Sequence, residues 1–191
     1  MPPGWDAVRA VERVPLASWH GRLWRTHWRN VEPCDWTVSL RISGRFHRGR
    51  DLFSENQVFP ALYTSQAAHL AVWEMVRQRA STNLLFLQNN RLSQFDVSFT
   101  AVLDCGNPSV LGLSSAEIHG TDRRIPWAIG AAAVERGANG LIIPSAAMNG
   151  TNLVIFPTNF RPDWTATVVS TEDMPIDLPE EVIRRLQDVM Q

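Results

Sequence analysis

Four arginines, Arg41, Arg45, Arg48 and Arg50, fall within ten positions of a chain that contains no lysine. Guanidinium forks bind phosphate oxygens in pairs, and the glycines among these arginines let backbone N–H groups approach an anion closely. Tyr63, the single tyrosine, follows in "ALYTS", and Glu74 follows in "AHLAVWEM", an acid inside an apolar helical pattern. A tyrosine ring offers a flat surface for a planar ligand. The helical face of Glu74 also carries Ala67, Ala71 and Gln78, and small alanines there let a ligand come near. Ser145 ends the run "LIIPS" and Asn152 opens "TNLVIFP". That spacing puts a hydroxyl and an amide at the mouth of a cleft.

Each of these residues also has a plainer reading. The arginines can form a solvated loop paired with Asp51 and Glu55. A lone tyrosine is usually a core or edge residue. Glu74 can sit exposed and pair with Arg77 or Gln78, for a few tenths of a kcal/mol. Serine and asparagine near 145–152 are ordinary turn chemistry.

The elements that must position these side chains are mostly readable. Residues 1–20 form a lead-in with a short helical turn in "WDAVRAVERV", and residues 21–191 form the main domain. "RLWRTHW" is a strand, "EPCDW" a turn, and "TVSLRIS" either a strand or the entry to the arginine loop at 44–59. "ALYTS" is a short strand. Thr64 or Ser65 then caps a helix to about Arg79, with Ala68, Leu70, Ala71, Val72, Met75 and Val76 at helical spacing. "QFDVSFTAVLDC" is the clearest strand, alternating Phe95, Val97 and Phe99 with Asp96, Ser98 and Thr100. "NPSVLGLSSAEIHGTD" is loop with one helical turn. Thr121 or Asp122 caps a second helix that has Pro126 in its first turn and ends at Gly137. "GLIIPS" and "TNLVIFP" are strands joined by a tight turn at Asn149–Gly150. "TATVVSTED" is a strand, and "LPEEVIRRLQDVMQ" a C-terminal helix. The expectation is a single mixed α/β (α+β) domain with a strand-rich core.

The totals exclude several classes. Hydrophobic residues make up 45% and charged residues 19% of 191 residues, with a formal net charge of −1. A chain so composed builds a core, and as a whole it has no electrostatic footprint for nucleic acid. Cys34 and Cys105 lack metal spacing and read as reduced thiols, the N-terminus does not read as a secretory signal, and no run approaches a membrane span. A cytoplasmic protein is the expectation. Neither a dinucleotide fingerprint nor a P-loop is present, and no serine nucleophile motif occurs. The five histidines are scattered, so no metal site is expected.

Taken in order, "LWRTHW", "SGRFHRG", "PALYTSQAAHLAVWEM", "GANGLIIPSA" and "TNLVIFPTNF" resemble the RES family, named for its arginine, glutamate and serine. The resemblance spans about residues 22–160. It implies a fold like that of the ADP-ribosyltransferases. The implied activity is cleavage of the nicotinamide–ribose bond of NAD⁺ by hydrolysis or phosphorolysis, with NAD⁺ as substrate and no metal. It implies a toxin neutralised by a helix-turn-helix, Xre-like antitoxin, through which alone nucleic acid would be met. It carries over Arg25, Arg45, Tyr63, Glu74 and Ser145 as site residues, with Asn152 beside them. Glu74 would face the positive charge that builds on the ribose, Arg25 and Arg45 would hold the pyrophosphate, Tyr63 would stack, and Ser145 and Asn152 would fix a ribose or phosphate. Where the family often has a tryptophan–asparagine pair after the loop arginine, this chain has Phe46 and His47. Its stretch "RDLFSENQVFP" is also longer than the compact loop expected. A protein ADP-ribosyltransferase and a nucleic-acid-binding module using the four loop arginines are the alternatives.

Overall fold

Alternation of apolar and polar residues is strongest in the strand that organises the molecule. Phe95, Val97 and Phe99 are buried while Asp96, Ser98 and Thr100 are exposed. The computed structural model describes residues 2, 4–78 and 89–174. Its elements are α1 (Ala7–Glu12), β1 (Leu16–Trp28), β2 (Leu62–Ser65), α2 (Ala68–Gln78), β3 (Asn90–Asp104), α3 (Ser115–His119), α4 (Arg124–Glu135), β4 (Gly140–Pro144), β5 (Thr151–Ile155) and β6 (Thr165–Asp173).

β1 lies antiparallel along the whole of β3, from Leu16↔Leu103 to Trp28↔Asn90. The other edge of β3 is shared. β6 takes its first half, from Arg91↔Asp173 to Ser98↔Thr165, and β4 runs parallel to its end, from Val102↔Gly140 to Asp104↔Ile142. β4 pairs with β5, β5 with β2, and β2 returns to β1 at the single pair Trp24↔Ser65. The pairings therefore close into a ring of five strands, with β6 attached outside.

Both faces of the ring are apolar where β2, β4 and β5 lie, whereas β1 and the first part of β3 keep exposed residues on one face. Leu23, Leu62, Phe99, Ile142 and Leu153, one from each ring strand, form one cluster with Trp36, Phe160 and Trp164 against it. Leu103, Leu141, Ile143 and Val154 face the other way, onto Ala10 and Val11 of α1 and Ile129 and Ala133 of α4. The helices thus cover one face of a mainly antiparallel sheet, which is the expected mixed α/β architecture.

Several local expectations are corrected. β1 starts at Leu16, so the boundary drawn at residue 20 falls inside it. "TVSL" forms a 3-10 turn at Thr37–Leu40. Thr64 and Ser65 do not cap α2: their hydroxyls donate across to β5, to the Leu153 carbonyl at 2.7 Å and to Asn152 Oδ1 at 2.8 Å. β4 and β5 are connected by residues 145–150, a longer loop closed by a 2.9 Å bond from Ser145 N–H to the Gly150 carbonyl. A 3-10 turn at Pro108–Leu111 precedes α3, which begins at a reciprocal Ser114–Glu117 capping box. Gly137, at φ 81°, follows α4 as expected. Cys34 and Cys105 are free thiols. The expected C-terminal helix at 178–191 lies outside the described residues, as does Arg79.

α4 also fixes the arginine loop. Trp127 Nε1–H donates to the Gly44 carbonyl at 2.8 Å. One turn further on, a Cβ at Gly130 would lie 2.0 Å from the Phe46 carbonyl oxygen. The loop backbone is therefore seated where only a glycine in α4 leaves room.

Candidate active site

Glu74 is half-buried on α2, and one oxygen of its carboxylate is held twice. Ser145 Oγ–H donates to Oε1 at 2.5 Å, and Asn152 Nδ2–H donates to the same atom at 2.7 Å. Each holder is itself held. Asn152 Oδ1 accepts from Ser65 Oγ at 2.8 Å, its partner in the β2–β5 register, and Ser145 Oγ accepts from Ala147 N–H at 3.0 Å. Ser65, Ser145 and Asn152 are all nearly inaccessible to solvent. Hydrogen bonds to an ionised group contribute about 1.5–3 kcal/mol each, so the carboxylate is tightly oriented. Glu74 Oε2 accepts no hydrogen bond from the described residues.

A second group is built on the arginine loop. The Tyr63 hydroxyl accepts from Phe46 N–H at 2.8 Å and lies 3.1 Å from His47 Nδ1. Burial keeps this phenol protonated far beyond the usual tyrosine range. Arg45 Nη1 donates to the carbonyls of Ile118 and Gly120, at 3.0 and 2.9 Å, so the end of α3 aims its guanidinium. Burial lowers the pKa of Arg45, and the charges of Arg123 and Arg77 lower it further, while Tyr63 and Glu74 act in the opposite sense. Arg77, Arg123, Tyr63 and Glu74 are thus the ionisable neighbours of Arg45. None of the three arginines forms an ion pair among the described residues. An uncompensated set of arginines beside a fixed carboxylate suits a ligand that carries an anionic part and develops positive charge elsewhere.

The other loop arginines do different things. Arg50 is exposed and pairs with Glu55 through two bonds, as the solvated-loop reading expected, and Arg48 lies over the Phe53 ring at 5.1 Å. Asp51 takes the Ser43 hydroxyl instead of an arginine.

Arg25 does not join the other five residues. Trp24 faces Ser65 across the β1–β2 pair, so Arg25 turns to the opposite face of the sheet, the face of Leu23. There it donates to the carbonyls of Pro33 and Asp35 and fastens the turn after β1. Burial pushes its pKa down to about 10, partly offset by Cys34 and Asp35. Sequence reasoning missed Ser65, His47, Arg77 and Arg123. Ser65 was within reach, being two positions after Tyr63 and so on the same strand face. Arg77, one turn after Glu74, was named only as a pairing partner. His47 was noted only as a departure from the family's pair after the loop arginine, and nothing in the sequence pointed to Arg123.

None of the curated proteins compared matches the chain. Among solved structures, a chain in the crystal structure of the M. tuberculosis MbcT–MbcA toxin–antitoxin complex superposes with a TM-score of 0.77 at 26% identity. The match covers 92% of this chain and 96% of that one. The RES domain family model matches residues 22–177, a span that takes in Arg25, the arginine loop, Glu74 and both of its hydrogen-bond donors. The two comparisons agree with the order of motifs and with the architecture, and on them the chain belongs to the RES domain family.

Proposed function

We propose that this protein is the toxin of a toxin–antitoxin pair and that it cleaves the nicotinamide–ribose bond of NAD⁺. The observation that carries the reading is the Glu74 carboxylate. It is locked through Oε1 by Ser145 and Asn152, accepts no bond at Oε2 from the described residues, and its charge acts on Arg45, which Arg77 and Arg123 also neighbour. Family membership and the likeness to a chain of a toxin–antitoxin complex support the toxin role.

In this reading the bond between C1′ and the pyridinium nitrogen breaks with its electron pair going to nitrogen, so nicotinamide leaves neutral and needs no proton. Positive charge grows on the ribose. The carboxylate of Glu74 stabilises that charge more in the transition state than in the ground state. Arg45, with Arg77 and Arg123, receives the pyrophosphate and turns remote binding energy into orientation. Water, releasing a proton to solvent, or phosphate then captures C1′. Arg25 serves the fold. The partner is a helix-turn-helix antitoxin of the Xre type that covers the Glu74 site, and the substrate places the protein in the cytoplasm. Among the described residues, no helix is long and apolar enough to cross a membrane.

The test is incubation of antitoxin-free protein with NAD⁺, with and without inorganic phosphate, followed by product identification. Free nicotinamide with ADP-ribose marks hydrolysis, and a phosphorylated ADP-ribose marks phosphorolysis. Label from NAD⁺ on a polypeptide marks ADP-ribosyl transfer to protein instead. Intact NAD⁺ after prolonged incubation overturns the reading.

A further inference from the structure

His47 is buried at 4% exposure, and its ring is the hub of the loop that carries Arg45. Nε2 lies 2.8 Å from the Ile42 carbonyl, which can only accept, so this nitrogen carries the hydrogen. Gly44 N–H points at the same atom from 3.1 Å, a longer contact that the opposite tautomer would satisfy and this one leaves unmade. Nδ1 is then the acceptor, and at 3.1 Å it takes the Tyr63 hydroxyl proton. The Tyr63 oxygen is left to accept from Phe46 N–H at 2.8 Å. The hydrogen bonds therefore run in one direction, from the Phe46 amide to the Tyr63 hydroxyl, to the His47 ring, to the Ile42 carbonyl. The first amide belongs to the peptide that joins Arg45 to Phe46. Space is tight around this relay: a Cβ at Gly44 would lie 2.4 Å from His47 Cε1 and 2.7 Å from the Tyr63 oxygen.

A proton on Nδ1 reverses the second link. The ring would then donate to the Tyr63 oxygen, which already accepts an amide, and the phenol proton would be left without its partner. The Ile42 and Ser39 carbonyls and the charge of Asp51 all favour such a proton, and burial outweighs them. On its own loop Asp51 favours the cation, while Arg45 and Arg48 flank it in sequence. From β2 comes the protonated Tyr63, and from the 3-10 turn at 37–40 comes the Ser39 backbone. α4 brings uncharged Trp127 and Gly130 against the loop. Burial is the largest influence and favours the neutral ring.

We propose that His47 is a positioning residue: as a neutral imidazole it holds the Tyr63 hydroxyl against the Arg45–Phe46 peptide, and so sets the Arg45 guanidinium for the anionic part of the substrate. Tyr63 accordingly acts through its hydroxyl on the loop. Binding of the anion weakens on the acid side because the relay breaks.

The kinetic arm of the test rests on the NAD⁺ reading. KM for NAD⁺ rises several-fold in the wild type between pH 7.5 and 5.5, more than kcat falls. His47→Asn, whose amide can still donate and accept but does not titrate, flattens that rise. A purely structural role would move KM and kcat together at every pH. A second arm needs no substrate. Nitrogen-15 spectra of the histidine rings show His47 as the Nε2–H tautomer at neutral pH, titrating below about 6.5. In Tyr63→Phe, which removes the donor to Nδ1, its pKa moves up. An Nδ1–H tautomer, or a His47 titration unmoved by Tyr63→Phe, overturns the proposal. So does a KM rise that persists in His47→Asn. If the wild type leaves NAD⁺ intact, the functional reading falls and the spectra alone decide the relay.

Discussion

Ser145 and Glu74, 71 residues apart in sequence, meet at 2.5 Å, the hydroxyl donating to the carboxylate oxygen that Asn152 also holds. The acid is thereby oriented by two strands, β4 through the residue that follows it and β5 through its second position, although it resides on a helix.

Glu74→Gln keeps an oxygen that can accept both of these bonds and removes only the charge. NAD⁺ cleavage is expected to fall by about 10²–10³-fold, the usual cost of one preorganised electrostatic group. The Tm should stay within about 4 °C, which corresponds to ~1 kcal/mol for a chain of this size. Nicotinamide release and a calorimetric scan of the same preparation check both expectations.

Asn152→Asp replaces a donor 2.7 Å from Glu74 with a second carboxylate. Two carboxylates in one site repel unless one is protonated. The variant should therefore lose more stability at pH 8 than at pH 5, relative to the wild type. Urea unfolding at the two pH values measures this, and an equal loss at both would show that charge is not what the amide is for.

Arg25 and Arg45 should separate cleanly. Arg25→Ala strips the donors from the Pro33 and Asp35 carbonyls, at a cost of about 1–3 kcal/mol per buried unsatisfied group, so it should lower Tm. Any residual active protein should keep its KM. Arg45→Ala should instead raise KM for NAD⁺ at least tenfold, with a smaller change in Tm. A normal Tm with a raised KM in Arg25→Ala would return that residue to the site.

How much of this was legible follows the range of each interaction. β3 and α2 were readable because their periodicity is local: side chains two or three to four positions apart share a face. β1 was cut short because "LASWHG" does not alternate, and only the long pairing with β3 makes it a strand. Arg25 was assigned to the anion by its place in a motif, yet its facing depends on which residue of β1 opposes Ser65. The turn at Asn149–Gly150 was over-read because Asn-Gly favours a tight hairpin, whereas the chain must travel further to bring Ser145 to Glu74. Arg123 neighbours Arg45 only because α4 packs under the loop, a contact no local pattern encodes.

Gly130→Ala tests that packing. Alanine favours a helix interior by about 1 kcal/mol over glycine, so the exchange would stabilise an isolated α4. Here the new methyl would meet the Phe46 carbonyl at 2.0 Å, and the loop backbone must shift. The expected outcome is a lower Tm and a raised KM for NAD⁺ despite the better helix former, and a higher Tm would mean that the loop yields without cost.

Acid should destabilise the fold through His27. Its Nδ1 faces the Trp28 carbonyl at 3.0 Å, and its Nε2 meets Ser93 Oγ at 2.8 Å in a buried chain that continues to Thr171. Burial depresses its pKa, with Arg25 and Arg91 adding to the effect against the backbone carbonyls of Trp28 and Val31. A base depressed in the fold binds fewer protons folded than unfolded, so stability is complete above about pH 6.5 and falls as pH drops below it. His47 adds to the same trend. Urea titrations at pH 7.5 and 5.5 should show a smaller acid loss in His27→Gln than in the wild type.

β1 and β2 share a single register pair, Trp24 opposite Ser65. Ser65 is also the residue that steadies the amide that steadies the acid. The shortest pairing in the ring and the support of its carboxylate therefore meet at the same residue. Whatever pries the two strands apart would loosen Ser65, and through Asn152 the acid, without ever touching Glu74.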